Sequence, residues 1–291
     1  MKILITGKNG QVGSCLVDQL SIMSDVTLLA LDRVQLDITD ESEVNKIIAE
    51  FNPNIIINAA AYTAVDKAEQ ESLLAYAINR DGPHNLAVAA NTINAAIIHI
   101  STDYVFAGDC SASYTESDKT NPQGEYGLSK LAGEQAVAQA CSRHIILRTA
   151  WVFSEHGNNF VKTMLRLAKT KNSLDVVADQ FGGPTYAGDI ACAIIKIAKS
   201  IVSGNKAYGI YHYSGFPYVS WFQFSKKIFE IALDQKIISH VMQLSAITTS
   251  DYPTPAKRPA NSKLDCHKIL NNFSIKQSNW QEALLDVIKN K

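Results

Sequence analysis

Short apolar runs alternate with longer amphipathic stretches through the first half of the chain. The apolar runs are rich in isoleucine, valine and leucine and lie at residues 2–6, 26–31, 54–58, 95–101 and 144–149. Because they are continuously apolar, they are typical of parallel strands covered on both faces of a sheet. Helical patterns lie between them, at residues 11–21, 41–51, 66–78, 82–93 and 127–141. The alternation predicts an α/β protein with a Rossmann-type, doubly wound parallel sheet.

The rhythm loosens after residue 150. Helical patterns there lie near residues 158–171, 187–200, 219–233 and 279–289. They are separated by loops with proline and glycine, such as FGGPTY and YPTPAKRPAN, which are typical of a smaller, irregular lobe. We therefore expect a first domain in residues 1–149 and a second lobe mainly in residues 150–291, with some segments returning to the first domain.

Composition points to small-molecule chemistry. Of 291 residues, 46% are hydrophobic and 19% are charged, with a formal net charge of -1. This balance argues against a broad surface for nucleic acid or membrane. The apolar start MKILITG reaches a glycine too soon for a signal peptide or a membrane span, so we expect a cytoplasmic protein.

The five cysteines give no framework for disulfides or zinc. Cys15, Cys110, Cys141, Cys192 and Cys266 are scattered and contain no C-x-x-C pair. This pattern favours reduced thiols, and the sequence predicts no metal ligands among them.

A glycine loop follows the first predicted strand. Gly7, Gly10 and Gly13 are spaced as G-x-x-G-x-x-G before an amphipathic helix. A tight turn, close approach of backbone to a pyrophosphate, and close packing of helix on sheet each favour glycine, and the helix N-terminus attracts phosphate. The first domain is therefore predicted to bind a dinucleotide, which leaves the smaller C-terminal lobe to bind the substrate.

The end of the second strand bears on the choice of cofactor. Asp32 stands where an acidic group accepts hydrogen bonds from an adenosine ribose, which favours NADH. Arg33 follows and suits the 2′-phosphate of NADPH, so both cofactors stay open. Asp37 and Ile38 either flank the adenine or belong to a helix start capped by Thr39 or Asp40.

Polar side chains predicted at one sheet edge suit carbonyl reduction. Ser101, Thr102 and Asp103 end the fourth strand, and Tyr126 and Lys130 begin the next long helix one turn apart. Hydroxyl groups would hold a carbonyl oxygen, the phenol would donate a proton, and the ammonium would favour that donation. The alternative is that Thr102 only ends the strand and Tyr126 only packs beside the helix.

Eight stretches, in order across nearly the whole chain, resemble one family. They are GKNGQVG, NAAAYTAVDKAE, STDYVFAG, YGLSKLAGE, RTAWVF, GNNFVKTMLRLA, DQFGGPT and YPTPAKRPANSKLD. Within the extended short-chain dehydrogenase/reductase superfamily they are similar to the dTDP-4-dehydrorhamnose reductases. That family reduces the C4 keto group of dTDP-6-deoxy-L-lyxo-4-hexulose with NADPH or NADH to give dTDP-L-rhamnose.

The resemblance implies roles for individual residues. The implied catalytic set is Thr102, Tyr126 and Lys130, with Tyr126 as proton donor. The implied cofactor contacts, together with the glycines, are Gly10, Gln11, Val12, Asp32, Asp37, Ile38, Ala61, Tyr62, Thr63, Tyr126 and Lys130. The implied contacts to the sugar nucleotide are Thr102, Asp103 and Trp151.

Three of the substrate-side residues have simpler alternatives. Trp151 either packs on a sugar or base face or is an ordinary core aromatic. Asn159 and Arg258 either contact the diphosphate or thymine or are plain surface residues.

The chain departs from the family at a magnesium site that bridges two subunits in some members. Cys15 stands in place of one glutamate, and Gly188, beside Asp189, in place of another. Magnesium prefers oxygen ligands, so we expect no bridging magnesium, and either a monomer or a homodimer.

Two other functions compete with the reductase. One is a nucleotide-sugar epimerase or dehydratase with the same glycine loop, and the other is a regulatory subunit that binds NADP without catalysis. The complete Thr102, Tyr126 and Lys130 set disfavours the regulatory subunit.

Overall fold

The structure is a computed structural model that describes residues 1–289. The α-helices are α1 (Gln11–Ser21), α2 (Glu41–Phe51), α3 (Val65–Ala68), α4 (Ser72–Tyr76), α5 (Gly82–Thr92), α6 (Glu125–Ala140), α7 (Phe160–Leu167), α8 (Ala187–Val202), α9 (Trp221–Asp234), α10 (His267–Phe273) and α11 (Trp280–Lys289). A π-helical turn covers Ala77–Asp81, and 3-10 turns cover Asp103–Val105 and Thr249–Asp251.

The strands are β1 (Lys2–Thr6), β2 (Thr27–Leu31), β3 (Ile55–Asn58), β4 (Ala96–Thr102), β5 (His144–Thr149), β6 (Val152–Phe153), β7 (Ser173–Val177), β8 (Phe181–Gly182), β9 (Thr185–Tyr186), β10 (Gly209–His212), β11 (Gly215–Phe216), β12 (Val219–Ser220), β13 (Gln243–Ile247), β14 (Asn261–Ser262) and β15 (Ser278–Asn279). Parallel strands form the central sheet in the order β10-β5-β4-β3-β1-β2. This confirms the predicted Rossmann-type sheet. The strand order reverses between β1 and β3, and open α/β sheets bind ligands at the carboxyl ends of such strands.

Both faces of the sheet are covered by helices. Along β1, Ile3 and Ile5 pack in a core with α1 and α8, whereas Leu4 packs in a second core with α2 and α5. Successive strand residues point to opposite faces, so two buried faces require apolar residues at every position. This explains the continuous apolar runs of the sequence.

The second half of the chain contributes to two cores. Helices α7, α9 and α11 enclose their own core around Phe224 and Trp280. In contrast, α8 lies in the first core, and β10 extends the central sheet beyond β5. The domain division at residue 149/150 stays a prediction.

The predicted helix 66–78 is wrong in one respect, because the chain forms α3, α4 and a π-helical turn instead. Pro83 has no N–H group to donate to the carbonyl of Asn79, four residues earlier. A Cβ on Gly133 would lie 1.9 Å from that carbonyl oxygen, so α6 passes close beside it. The helix therefore widens where a proline and a packed neighbour coincide.

No helix within residues 1–289 is both long enough and apolar enough to cross a membrane. The five cysteines are free thiols in the structure.

Candidate active site

The glycine loop lies at the reversal of strand order, between β1 and β3. Gly7 has φ +76, and a Cβ there would lie 2.6 Å from the backbone nitrogen of Ala60 at the end of β3. A Cβ on Gly13 would lie 2.1 Å from the carbonyl oxygen of Gly7. Gly10 is the N-cap residue of α1, so the first N–H groups of this helix, on Gln11 and Val12, have no acceptor within it. The loop therefore fits a phosphate group.

Asp32 is held at the end of β2 by its own turn. Its Oδ1 accepts hydrogen bonds from the N–H groups of Val34 (3.0 Å) and Gln35 (3.1 Å), and Lys8 Nζ lies 3.5 Å from its Oδ2. Desolvation is the largest single effect and raises the pKa of Asp32. The hydrogen bonds from Gln35 and Val34 and the charge of Lys8 together outweigh it, so the pKa is lowered. The sequence interpretation missed Lys8, which comes from the glycine loop.

Asp37 and Ile38 are placed mainly by local structure. Asp37 Oδ1 accepts hydrogen bonds from the N–H (3.0 Å) and hydroxyl (2.8 Å) of Thr39, which lower its pKa. Asp40 caps α2 by accepting from the N–H of Glu43, as one of the two alternatives predicted. Ile38 is buried in the second core.

A buried asparagine fixes the segment after β3, which contains Ala61, Tyr62 and Thr63. Asn79 accepts from the N–H of Tyr62 (2.9 Å) and donates to its carbonyl (3.1 Å). It also donates to the Ser129 hydroxyl on α6 (3.0 Å). The π-helical turn thus holds this segment beside the helix that carries Tyr126 and Lys130.

Tyr126 and Lys130 lie one turn apart on α6, as predicted. Lys130 is buried, and its Nζ donates to the carbonyl of Ile100 on β4 at 2.7 Å. Burial lowers the pKa of Lys130 to about 8, against the opposing effect of Glu134 one turn further along. The ammonium therefore stays the main form at neutral pH.

His99 on β4 lies next to Lys130, and it was not identified from the sequence as part of the site. Asn58 Oδ1 accepts from the N–H of Ala60 (3.1 Å) and the hydroxyl of Thr6 (2.8 Å), so its amide nitrogen faces His99 Nδ1 at 3.0 Å. Neutral His99 then carries its hydrogen on Nε2, which faces Lys130 Nζ at 3.4 Å. Two hydrogen-bearing nitrogens face each other there, so His99 does not stabilise the ammonium.

A buried ion pair lies next to this group. Arg148 on β5 donates to Glu134 through Nε (2.9 Å) and Nη2 (2.7 Å), and Ser101 donates to Glu134 Oε1 (2.6 Å). Both charges are nearly fully buried, and the two parallel bonds satisfy them. The pair joins α6 to β4 and β5 behind the site.

Thr102 on β4 and Tyr126 on α6 are neighbours in the site, with Thr102 buried and Tyr126 half-buried. The Thr102 hydroxyl donates to Asp103 Oδ1 (3.1 Å) and accepts from the N–H of Tyr104 (3.2 Å). Burial raises the pKa of half-buried Tyr126, and the neighbouring Thr102 opposes that rise. Tyr126 therefore holds its proton firmly, as a proton donor must before reaction.

Asp103 is a buried carboxylate at the end of β4. Its Oδ2 atom is buried and has no hydrogen-bond partner within residues 1–289. Burial raises the pKa of Asp103 to about 6, although the neighbouring Ser262 and Thr102 hydroxyls oppose that rise. Buried polar atoms normally have partners, so this oxygen is ready to accept a hydrogen bond from a ligand.

Trp151 has an unusual backbone and an aromatic partner. Its φ of 50 is rare for a bulky residue. Its ring stacks on Trp221, with centroids 3.5 Å apart and 10° between the planes. A Cβ on Gly182 would lie 2.7 Å from the Trp151 ring, so the ring is closely packed from that side. The sequence interpretation missed Trp221, which lies 70 positions further along the chain.

Arg258 is connected to Tyr126 by way of Tyr104. Its Nη1 donates to the Tyr104 hydroxyl at 3.1 Å, and its Nη2 pairs with Asp66. The Tyr104 ring meets the Tyr126 ring edge to face, with centroids 5.4 Å apart. Lys257 and Arg258 both line a small pocket beside Tyr104. Arg258 is therefore not a plain surface residue.

Asn159 lies elsewhere, beside the glycine loop. It caps α7 by accepting from the N–H of Lys162, and its amide donates to Gln11 Oε1 (2.9 Å) and to the carbonyl of Ser154 (2.7 Å). Ser154 and Asn159 thus both donate to the Gln11 side chain, while the Gln11 backbone N–H remains at the glycine loop.

The residues at the family's bridging magnesium site do not fit magnesium. Cys15 offers sulfur, which magnesium disfavours, and Gly188 offers no side chain. A Cβ on Gly188 would lie 2.3 Å from the Tyr186 ring, so a glutamate there would displace that ring. Asp189, the neighbouring acid, accepts a hydrogen bond from Ser278.

A doubly wound sheet with this glycine loop and this tyrosine–lysine helix places the chain in the extended short-chain dehydrogenase/reductase class. The family model described as "RmlD substrate binding domain" matches residues 1–291. The chain belongs to this family.

Relatives support the same assignment. A dTDP-4-dehydrorhamnose reductase from Aggregatibacter actinomycetemcomitans is 52% identical over 287 residues, which cover 98% of each chain. The structure of a dTDP-4-dehydrorhamnose reductase from Clostridium acetobutylicum is similar with a TM-score of 0.92 and 42% identity, over 100% of this chain and 99% of the other. The structure of a dTDP-4-dehydrorhamnose reductase from Bacillus anthracis in complex with NADP is also similar. Its TM-score is 0.91 and its identity 39%, over 100% of this chain and 99% of the other.

Proposed function

We propose that the chain reduces the C4 keto group of dTDP-6-deoxy-L-lyxo-4-hexulose with NADPH or NADH to give dTDP-L-rhamnose. The observation that carries this function is the position of Tyr126 and Lys130, one turn apart on α6 and beside Thr102 at the carboxyl edge of the sheet. The names of the relatives agree with it, and they do not favour the epimerase, dehydratase or regulatory alternatives.

The proposed catalytic residues are Thr102, Tyr126 and Lys130. A reduced nicotinamide bound there would supply the hydride for C4 of the sugar. Thr102 and Tyr126 hold the C4 oxygen by hydrogen bonds, and the Tyr126 hydroxyl gives its proton to that oxygen as negative charge develops. The Lys130 ammonium lowers the free energy of the phenolate that remains.

The cofactor is proposed to lie across the glycine loop. Backbone N–H groups at Gly10, Gln11, Val12 and Gly13 suit the pyrophosphate, with Gly7 allowing close approach. Asp32 suits a free ribose 2′-hydroxyl, whereas Lys8 and Arg33 supply cations for a 2′-phosphate. This mixed set supports use of both NADPH and NADH.

The remaining cofactor contacts proposed are Asp37, Ile38, Ala61, Tyr62 and Thr63. The last three lie on the segment held by Asn79, beside the reaction centre.

The sugar nucleotide is proposed to contact four side chains in addition to Thr102. The unpartnered Asp103 oxygen suits a sugar hydroxyl, and Trp151 in its stack with Trp221 suits a sugar or base face. The Arg258 guanidinium suits the diphosphate. Asn159, bonded to Gln11, is proposed as a further substrate contact at the boundary with the cofactor.

A monomer or homodimer, a cytoplasmic location, and the lack of nucleic-acid or membrane partners stay predictions.

The test follows the loss of absorbance at the nicotinamide band when the 4-keto sugar nucleotide is added. Tyr126→Phe is expected to lower kcat by about 10²- to 10⁴-fold, because it removes the proton donor and keeps the ring. Tyr104→Phe, which removes a hydroxyl from the adjacent ring, is the matched control and is expected to alter mainly KM for the sugar nucleotide. The reductase proposal fails if the wild type oxidises no cofactor, and the role of Tyr126 fails if Tyr126→Phe keeps the full rate.

A further inference from the structure

A thiol, a carboxylate and an imidazole come together beside α1, outside the proposed active site. Ligand atoms of Cys15, Glu155 and His156 all lie within 4.8 Å of one another. Cys15 is buried on α1, while Glu155 and His156 lie on the segment between β6 and α7. None of the three has a role in the proposed reaction.

The group is rich in negative charge and in free lone pairs. The carboxylates of Glu155 and Asp18 both lie against His156, beside the buried Cys15 thiol. Glu155 Oε2 is buried and has no hydrogen-bond partner among the described residues. Carboxylates gathered around a buried sulfur without a compensating cation are unfavourable, and a bound metal ion would reverse that balance.

Two distances from His156 are close to those between the ligand atoms of a four-coordinate ion. Metal–ligand bonds of about 2.0–2.3 Å put the neighbouring ligand atoms of a tetrahedral zinc site about 3.3–3.7 Å apart. His156 Nε2 lies 3.6 Å from Glu155 Oε1 and 3.1 Å from Asp18 Oδ2. Asp18 lies one turn after Cys15 on α1, and its largely exposed side chain is free to turn toward the group.

The donor set selects the class of metal. Thiolate and imidazole favour zinc and its close analogues, whereas magnesium and calcium take oxygen ligands alone. The Tyr186 hydroxyl donates to Glu155 Oε1 at 3.1 Å, an outer hydrogen bond of the kind that orients metal ligands.

We propose that Cys15, Asp18, Glu155 and His156 bind one zinc-class divalent ion within a single chain. Four protein ligands make the site closed and therefore structural. The ion ties α1 to the segment that also holds Gln11 through Ser154 and Asn159. This inference does not depend on the proposed reaction.

The probe is Co²⁺, added to the full chain prepared without a polyhistidine tag and stripped of metal with a chelator. Wild type is expected to take up one equivalent and to show a thiolate-to-cobalt charge-transfer band, which Zn²⁺ then removes. Cys15→Ser is expected to lose the band and to weaken zinc binding at least about 100-fold. Cys192→Ser, which changes an exposed cysteine on α8, is the matched control and keeps both.

His156→Asn is a second ligand variant. Because His156 is partly exposed, this substitution is expected to leave folding intact. Zn²⁺ is expected to raise the Tm of the wild type and of Cys192→Ser but not that of His156→Asn. The proposal is overturned if wild type shows no thiolate band, if the band survives Cys15→Ser, or if Zn²⁺ leaves the wild-type Tm unchanged.

Discussion

The nucleotide side of the proposed site is built from backbone, whereas the substrate side is built from side chains of distant segments. At the glycine loop, Gly7 and Gly13 lie within one short stretch, and each has backbone where a side chain would begin. Across the sheet edge, Trp151 meets Trp221, and Arg258 meets Tyr104. Backbone cannot adjust to an added atom, while side chains repack, so substitutions on the two sides are expected to differ in severity.

Between the two sides, the largest effect is expected from Gly13→Ala. Its methyl group would lie 2.1 Å from the Gly7 carbonyl oxygen, so the loop must change the shape that fits a pyrophosphate. Loss of about two hydrogen bonds to charged phosphate corresponds to about a 100-fold weaker Kd for NADPH. A fluorescence titration with NADPH measures it.

Ser21→Ala, at the exposed end of the same helix, is the control and should bind NADPH normally. If Gly13→Ala binds NADPH within about threefold of wild type, the backbone-built description of the loop is wrong.

The next effect is that of Asp103→Asn on the free energy of unfolding. The folded protein binds the Asp103 proton more tightly than the unfolded chain does, because burial raises the pKa to about 6. That stabilisation is complete below about pH 4 and is lost as the pH rises through about 6. Asp103→Asn is therefore expected to increase the free energy of unfolding at pH 8 by an amount on the order of 2 kcal/mol, while it weakens sugar binding.

Urea unfolding at pH 8 and at pH 4 separates the two states of Asp103, and Asp25→Asn serves as the surface control. An Asp103→Asn variant that is less stable than wild type at pH 8 would show that the carboxylate has a compensating partner.

The pH dependence of kcat/KM is expected to show the loss of the proton from Lys130. Its pKa of about 8 means that the ammonium is lost as the pH rises through that value. We expect kcat/KM for NADPH, which reports the free enzyme, to fall about tenfold per pH unit above that value.

Lys130→Arg keeps its charge at all these pH values and should remove the alkaline decline, even if its rate is lower. A wild-type profile that stays flat to well above pH 9 would contradict the role of the ammonium.

The smallest effect is expected from Trp221→Leu. Loss of an aromatic stack worth about 0.5–1.5 kcal/mol corresponds to an increase of about 2- to 12-fold in KM for the sugar nucleotide. KM for NADPH should not change, and steady-state kinetics with each substrate varied in turn distinguishes the two. Phe216→Leu, at an exposed aromatic outside this stack, is the control. If KM for NADPH changes more than KM for the sugar nucleotide, the assignment of this stack to the substrate side is wrong.

The same contrast explains what the sequence could predict. The glycine spacing, the apolar strands and the Tyr126–Lys130 helix are local patterns, and the structure has them where they were expected. The widened helix near Asn79 was missed because it depends on α6 packing beside it as well as on Pro83.

Side-chain partners from distant segments were also missed. His99 looks like an ordinary strand residue until Asn58 and Lys130 are placed around it. Trp221 and Lys8 similarly acquire a role only through Trp151 and Asp32. Such roles arise from three-dimensional contact and leave no periodic signal in the sequence.

The central claim is hydride transfer to C4 of the sugar, with one cofactor consumed per turnover. Mass spectrometry and NMR of the product formed with NADPH deuterated at the transferring position test it most directly. The proposed function predicts one deuterium at C4 of dTDP-L-rhamnose for each NADPH oxidised. A product without deuterium, or turnover without net oxidation of NADPH, would contradict it.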